Sequence, residues 1–199
     1  MKKITGTTGT IVQMLLAVFL SLSLAACASS RGRDGTQAAA GGTKADMSGY
    51  ATYDAKTDYV YVTSSVQDMY TRLNNNETFA ILFGFAKCPW CRDFMPVMNE
   101  AAKRTGHSTV YYVNTRENTN WKSNLDIDNY DLLVQMAFDY LPYDEAGIKH
   151  LDAPTAYFVK GGKIQDAVFA PDYAAHEETI SDELREALLQ QLIRAFKAQ

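Results

Sequence analysis

The chain has 199 residues, 47% of them hydrophobic, with 12 Tyr, 9 Phe and a formal charge of −4. That is enough for one globular domain with its own core, plus a leader and a linker. An acidic chain without a Lys/Arg-rich run has no general attraction to nucleic acid, so nucleic-acid binding is excluded. Its three cysteines, Cys27, Cys88 and Cys91, are too few for a disulfide-stapled scaffold.

Lys2 and Lys3 open the chain, residues 11–24 are mostly apolar, and the stretch ends in Leu24-Ala25-Ala26-Cys27. This is the basic, apolar and small-residue order of a secretory leader over residues 1–26, too short and too weakly flanked for a strong transmembrane helix. Without it the formal charge falls by two, to −6. Leu-Ala-Ala-Cys resembles the lipobox of bacterial lipoproteins. The resemblance implies that Cys27 is the lipidated first mature residue, anchoring the chain to the lipid bilayer of a bacterial cell membrane on its extracytoplasmic face. A diacyl anchor supplies the two chains that stable attachment needs. Residues 27–50, rich in Ala, Gly, Ser and Thr, read as that Cys and a flexible linker spanning roughly 25 Å as a coil.

Residues 51–199 read as the folded domain. Tyr59 to Thr63 is β-rich. Ser64 or Ser65 can cap the helix after it, where Val66, Met69, Tyr70 and Leu73 share one face. Residues 79–85 are apolar almost throughout, as in a strand covered on both faces. Lys87-Cys88-Pro89-Trp90-Cys91-Arg92 follows directly, and a helical pattern with Phe94, Met95, Val97, Met98, Ala101 and Ala102 leaves it. Two cysteines two residues apart at a strand-to-helix junction are placed for thiol–disulfide chemistry. The first sulfur then sits at the helix N-terminus, where unpaired N–H groups and the macrodipole favour a thiolate, with Lys87 or Arg92 as nearby cations. Pro89 starts the helix without wasting a donor, and Pro96 predicts a kink.

Residues 109–113 predict another strand. A long connection over about 115–150 holds a helical pattern, Leu132 to Tyr140, ended by Pro142. Residues 155–159 and 163–169 predict two strands joined by the Gly161-Gly162 turn, and Ile180, Leu184, Leu188, Leu192 and Phe196 mark a last helix. The order gives an α/β domain with helices over a mixed sheet.

Cys88-Pro89-Trp90-Cys91, Pro96 five residues later, and Ala153-Pro154-Thr155 before a hairpin resemble the landmarks of the thioredoxin fold over roughly residues 57–198. The Cys-Pro-aromatic-Cys form with Arg92 is similar to glutaredoxins and bacteriocin-transport accessory proteins. The resemblance implies Cys88 as nucleophile, Cys91 as resolving thiol and a cis Pro154 opposite them, with Ala153 pairing a substrate segment. Pro89 and Trp90 complete the contact surface, Trp90 as an exposed flat face. The redox-active Cys88–Cys91 pair needs no separate cofactor.

Two departures stand out. The buried acid of thioredoxins falls here on Leu82 or Phe83, and the 115–150 segment is a helical insertion placed to form a lid or partner surface. A zinc site lacks a second Cys pair, and His107, His150 and His176 are scattered, so no metal is expected. Asp93, Asp126, Asp128, Asp131, Asp139 and Asp144 read as solvated faces and caps. Two functions remain: a membrane-anchored thiol–disulfide oxidoreductase exchanging disulfides with exported proteins and an extracytoplasmic redox partner, or a secretion accessory factor that binds an exported peptide. A monomer is the default.

Overall fold

The computed structural model describes residues 42–117, 123–171 and 179–199. The leader, Cys27 and His176 lie outside these, as does most of the segment read as a linker. Five strands form one sheet: β1 (Tyr61–Thr63), β2 (Phe79–Gly84), β3 (Val110–Asn114), β4 (Thr155–Lys160) and β5 (Lys163–Phe169). Their spatial order is β1-β3-β2-β4-β5. β3 runs parallel to both β1 and β2, whereas β4 is antiparallel to β2 and to β5. The helices are α1 (Val66–Asn74), α2 (Pro89–Arg104), α3 (Ile127–Ala137) and α4 (Asp182–Ala198), with a 3-10 turn at Phe138–Tyr140.

β2 explains the layering. All six of its residues are buried, as an uninterrupted apolar run in a central strand requires. Alternation sends Ala80 and Leu82 to one face, where Phe94, Met98, Leu192 and Phe196 of α2 and α4 pack. Phe79, Ile81 and Phe83 point to the other face, against Val66 and Met69 of α1 and Leu133 and Ala137 of α3. The connection read as an insertion therefore supplies a helix to the second core layer. α3 is no appended lid, because Leu133 and Ala137 are fully buried under the sheet.

Local chemistry fixes each end. Ser65 and Asp68 form a reciprocal capping box at the start of α1, each side chain bonded to the other's backbone N–H at 3.0 Å. Gly161 and Gly162, with φ of 55° and 74°, make the β4–β5 turn a conformation that favours glycine at both positions.

The stretch before β1 differs from expectation. Residues 43–45 pair with the edge of β1 through Ala45 N–H to the Tyr61 carbonyl (3.1 Å) and Thr63 N–H to the Thr43 carbonyl (2.9 Å). Met47 and Tyr50 are 2% and 3% exposed. The C-terminal part of the segment read as flexible linker is thus bound to the domain, because two large apolar side chains sit among its small ones. α2 runs through Pro96 without interruption. Pro96 has no N–H for the Arg92 carbonyl, and the Thr52 hydroxyl takes that place at 2.6 Å.

Candidate functional site

β2 ends at Gly84 and a short turn delivers Cys88 as the N-cap of α2. The Cys88 sulfur accepts from the Cys91 backbone N–H at 3.2 Å, as the side-chain oxygen of a Ser or Asp cap does. Pro89 occupies the first helical turn, where its missing N–H wastes no donor. As a thiol, Cys88 donates to the Ala153 carbonyl at 3.3 Å. The Ala153–Pro154 peptide bond is cis. The structure thus brings Cys88, Pro89, Trp90, Cys91, Ala153 and Pro154 together; only Cys27 lies outside the described residues.

The two thiols have opposite electrostatics, and both are free. The Cys88 pKa is held below the ordinary cysteine range, first by the hydrogen bond from the Cys91 thiol and then by the backbone N–H groups of Cys91 and Trp90, against the effect of burial. Arg116, in the loop after β3, adds a favourable charge. Its guanidinium lies 5.7 Å from the Phe85 ring centroid. The Cys91 pKa is pushed well up by burial, and by the Cys88 sulfur beside it. A lowered thiol backed by a raised one can open a disulfide and then close on itself.

Three surroundings differ from the sequence reading. Trp90 is half-buried, partly packed against the core, rather than a fully exposed face. Arg92 pairs with Asp93 through two hydrogen bonds of 3.0 and 2.9 Å. Asp93 is only 5% exposed, not on a solvated face, because this neighbour neutralises it. Arg116 was not singled out in the sequence; no signal marks it, since only the loop after β3 brings it to the site.

Two clefts flank the Cys88–Ala153 contact. One, of about 560 Å³, has Cys88, Lys87 and Arg116 on one side and Leu125, Tyr130 and Leu151 of the long connection on the other. The second, of about 320 Å³, lies between Trp90, Pro154 and Phe169. Among the described residues no cluster of three or more His, Cys, Asp or Glu is placed to hold a metal ion, and no helix is long and apolar enough to cross a membrane.

No protein-family model matches the sequence, and a comparison with curated proteins finds no match. Among solved structures, the chain is similar to thioredoxin NaTrxh from Nicotiana alata, at 15% identity over 72% of this chain and 98% of that one, with a TM-score of 0.40. It is also similar to thioredoxin O2 from Arabidopsis thaliana in the oxidized state, at 21% identity over 57% and 85%, with a TM-score of 0.35. The strand order, the antiparallel β4–β5 hairpin and the cysteine pair capping α2 give this domain the thioredoxin fold.

Proposed function

We propose that this protein is a thiol–disulfide oxidoreductase acting on exported proteins. One observation carries the reading: the Cys88 sulfur caps α2 with a lowered pKa while Cys91, three residues on, is held as a thiol. The Cys88 thiolate attacks a substrate disulfide and forms a mixed disulfide. Cys91 then displaces the substrate thiol, leaving Cys88–Cys91 oxidised. The reverse sequence donates that disulfide. The pair is its own redox centre, and a membrane or extracytoplasmic partner resets it. In this reading Cys27 carries the lipid that holds a monomeric domain at the outer face of a bacterial membrane, a placement supported by the leader pattern of residues 1–27.

The test is exchange with a model disulfide by the soluble domain and its variants. Cys88→Ser abolishes exchange, and Cys91→Ser accumulates the mixed disulfide with one substrate thiol per chain. Failure of the wild type to form Cys88–Cys91 sinks the reading. A reduction potential near about −270 mV makes the protein a reductant, and one near about −120 mV an oxidant.

The cleft beside Cys88 favours a second reading, a secretion accessory factor that holds an exported peptide with little redox turnover. Under that reading a Cys88→Ser variant keeps its biological function.

A further inference from the structure

Disulfide exchange makes conflicting demands on the second cysteine. It must stay protonated while the first sulfur attacks, and then ionise inside the protein to close the ring. A buried thiolate short of donors carries a large desolvation penalty, and for Cys91 the backbone N–H groups of Phe85 and of Cys91 itself offset only part of it. β2 is apolar throughout, so it supplies no acid or base to Cys91.

Phenols stand near that sulfur instead. A Cβ on Gly84 would lie 3.3 Å from Cys91 Sγ and 3.4 Å from the Tyr50 hydroxyl oxygen. The sulfur and the phenol therefore border one space, kept open because Gly84 has no side chain. The Tyr50 hydroxyl lies 3.0 Å from that of Tyr112 on β3. The Tyr112 hydroxyl donates to the Gly84 carbonyl at 3.2 Å. With that proton committed, Tyr50 is the donor within the pair. Burial raises the pKa of both phenols, and the charge of Cys91 raises each further, so the hydroxyls stay neutral beside the sulfur.

We propose that Tyr50, whose proton Tyr112 holds at rest, is a positioning residue for Cys91. At rest its hydroxyl donates to Tyr112, and it turns to donate to the Cys91 sulfur as that thiol ionises. The inference rests on the exchange reading above. A hydroxyl suits the task because a neutral phenol can donate to a thiolate, whereas an ionised carboxylate only accepts. In the step served, the Cys91 thiolate attacks the Cys88 sulfur of the mixed disulfide. The bond from Cys88 to the substrate sulfur breaks and the Cys88–Cys91 bond forms. The substrate leaves as a thiolate and takes up a proton in place of the one that Cys91 released. Two electrons pass from the protein dithiol to the substrate disulfide.

The experiment is single-turnover reaction of the reduced protein with dithiobis(nitrobenzoate), from about pH 6 to 9. Attack by Cys88 releases one coloured thiolate, and closure by Cys91 releases the second. Tyr50→Phe keeps the ring and removes the hydroxyl. The first phase is expected within about twofold of wild type, the second about tenfold slower at neutral pH, matching the loss of one hydrogen bond to a charged group. The midpoint of the second phase should move to higher pH. Tyr112→Phe frees the Tyr50 proton from its acceptor, so its second phase should be as fast as wild type or faster. The Gly84 carbonyl still accepts from the Thr115 N–H at 2.9 Å in that variant.

An intact first phase with an unchanged second phase in Tyr50→Phe overturns the role of Tyr50 alone. Equal slowing in both tyrosine variants overturns it too, in favour of packing. Absence of the first phase in the wild type overturns the exchange reading, and this one with it. If Tyr50→Phe does not fold, Gly84→Ala places a methyl in the shared space and should slow the second phase selectively; an unchanged second phase there overturns the proposal.

Discussion

The Thr52 hydroxyl donates a 2.6 Å hydrogen bond to the Arg92 carbonyl, the acceptor that Pro96 deprives of its helical N–H. Two parts of the chain 40 residues apart thereby complete one helix. Thr52→Val should destabilise the protein by about 0.5–1.5 kcal/mol, lowering the melting temperature by roughly 2–4 °C per kcal/mol. In a Pro96→Ala background the helix regains its own donor, so the same substitution should lose less. A double-mutant cycle by thermal melting checks the coupling; additive effects would mean that the two residues act independently.

Met47 is 2% exposed and lies in the core shared by α2 and α4. Met47→Ala should cost about 2–5 kcal/mol, measured by urea unfolding. A loss under about 0.5 kcal/mol, the range of surface substitutions, would instead restore the linker reading for this part of the chain.

Cys88 should be alkylated by iodoacetamide with a pH midpoint below the free-cysteine value of about 8.5. Its lowered pKa comes first from the Cys91 thiol and then from backbone donors, with Arg116 adding charge. Cys91→Ala should therefore move the midpoint up. Arg116→Gln should move it up by less, because Arg116 is exposed, and 1 M salt, with a Debye length of about 3 Å, should erase most of that difference.

His107 should make the stability of the protein depend on pH. Its pKa is lowered by burial, where its ring lies 4.7 Å from that of Phe196, tilted by 37°, and its Nδ1 lies 2.9 Å from the Thr105 hydroxyl. The unfolded chain therefore binds the proton more readily than the folded one. Stability contributed by neutral His107 is present above about pH 6.5, the unfolded value, and is lost as pH falls through that value toward the lower folded one. Melting temperatures from about pH 7.5 to 5.5 should fall less steeply in His107→Gln than in the wild type.

The chain's periodicities and turn residues are mostly local signals, and those were legible. The Cys88–Cys91 spacing, the β2 apolar run, the Ser65 cap and the Gly161-Gly162 turn each announce their structure within a few residues. The contributions of Tyr50 and Arg116 were hidden because they depend on long-range meetings. Tyr50 finds Tyr112 across 62 residues, and the small, polar composition around it hides its burial. Asp93 was misread for a nearer reason: an acid beside a cation in sequence normally faces water, but this carboxylate is buried beside Ile180, whose N–H lies 3.4 Å from it. The 115–150 segment was legible as a helix, yet its length said nothing of which sheet face α3 would cover.

Cys88 is 3% exposed on the edge of its cleft. If that sulfur is the nucleophile, a partner's disulfide must travel inward to meet it, on a strand slim enough to enter between the Trp90 ridge and the long connection. Bridges inside a well-folded partner then react only as often as that partner opens locally. On that reading the recess would make the protein a gauge of how finished its clients are, sparing those already sealed and acting on those still coming together.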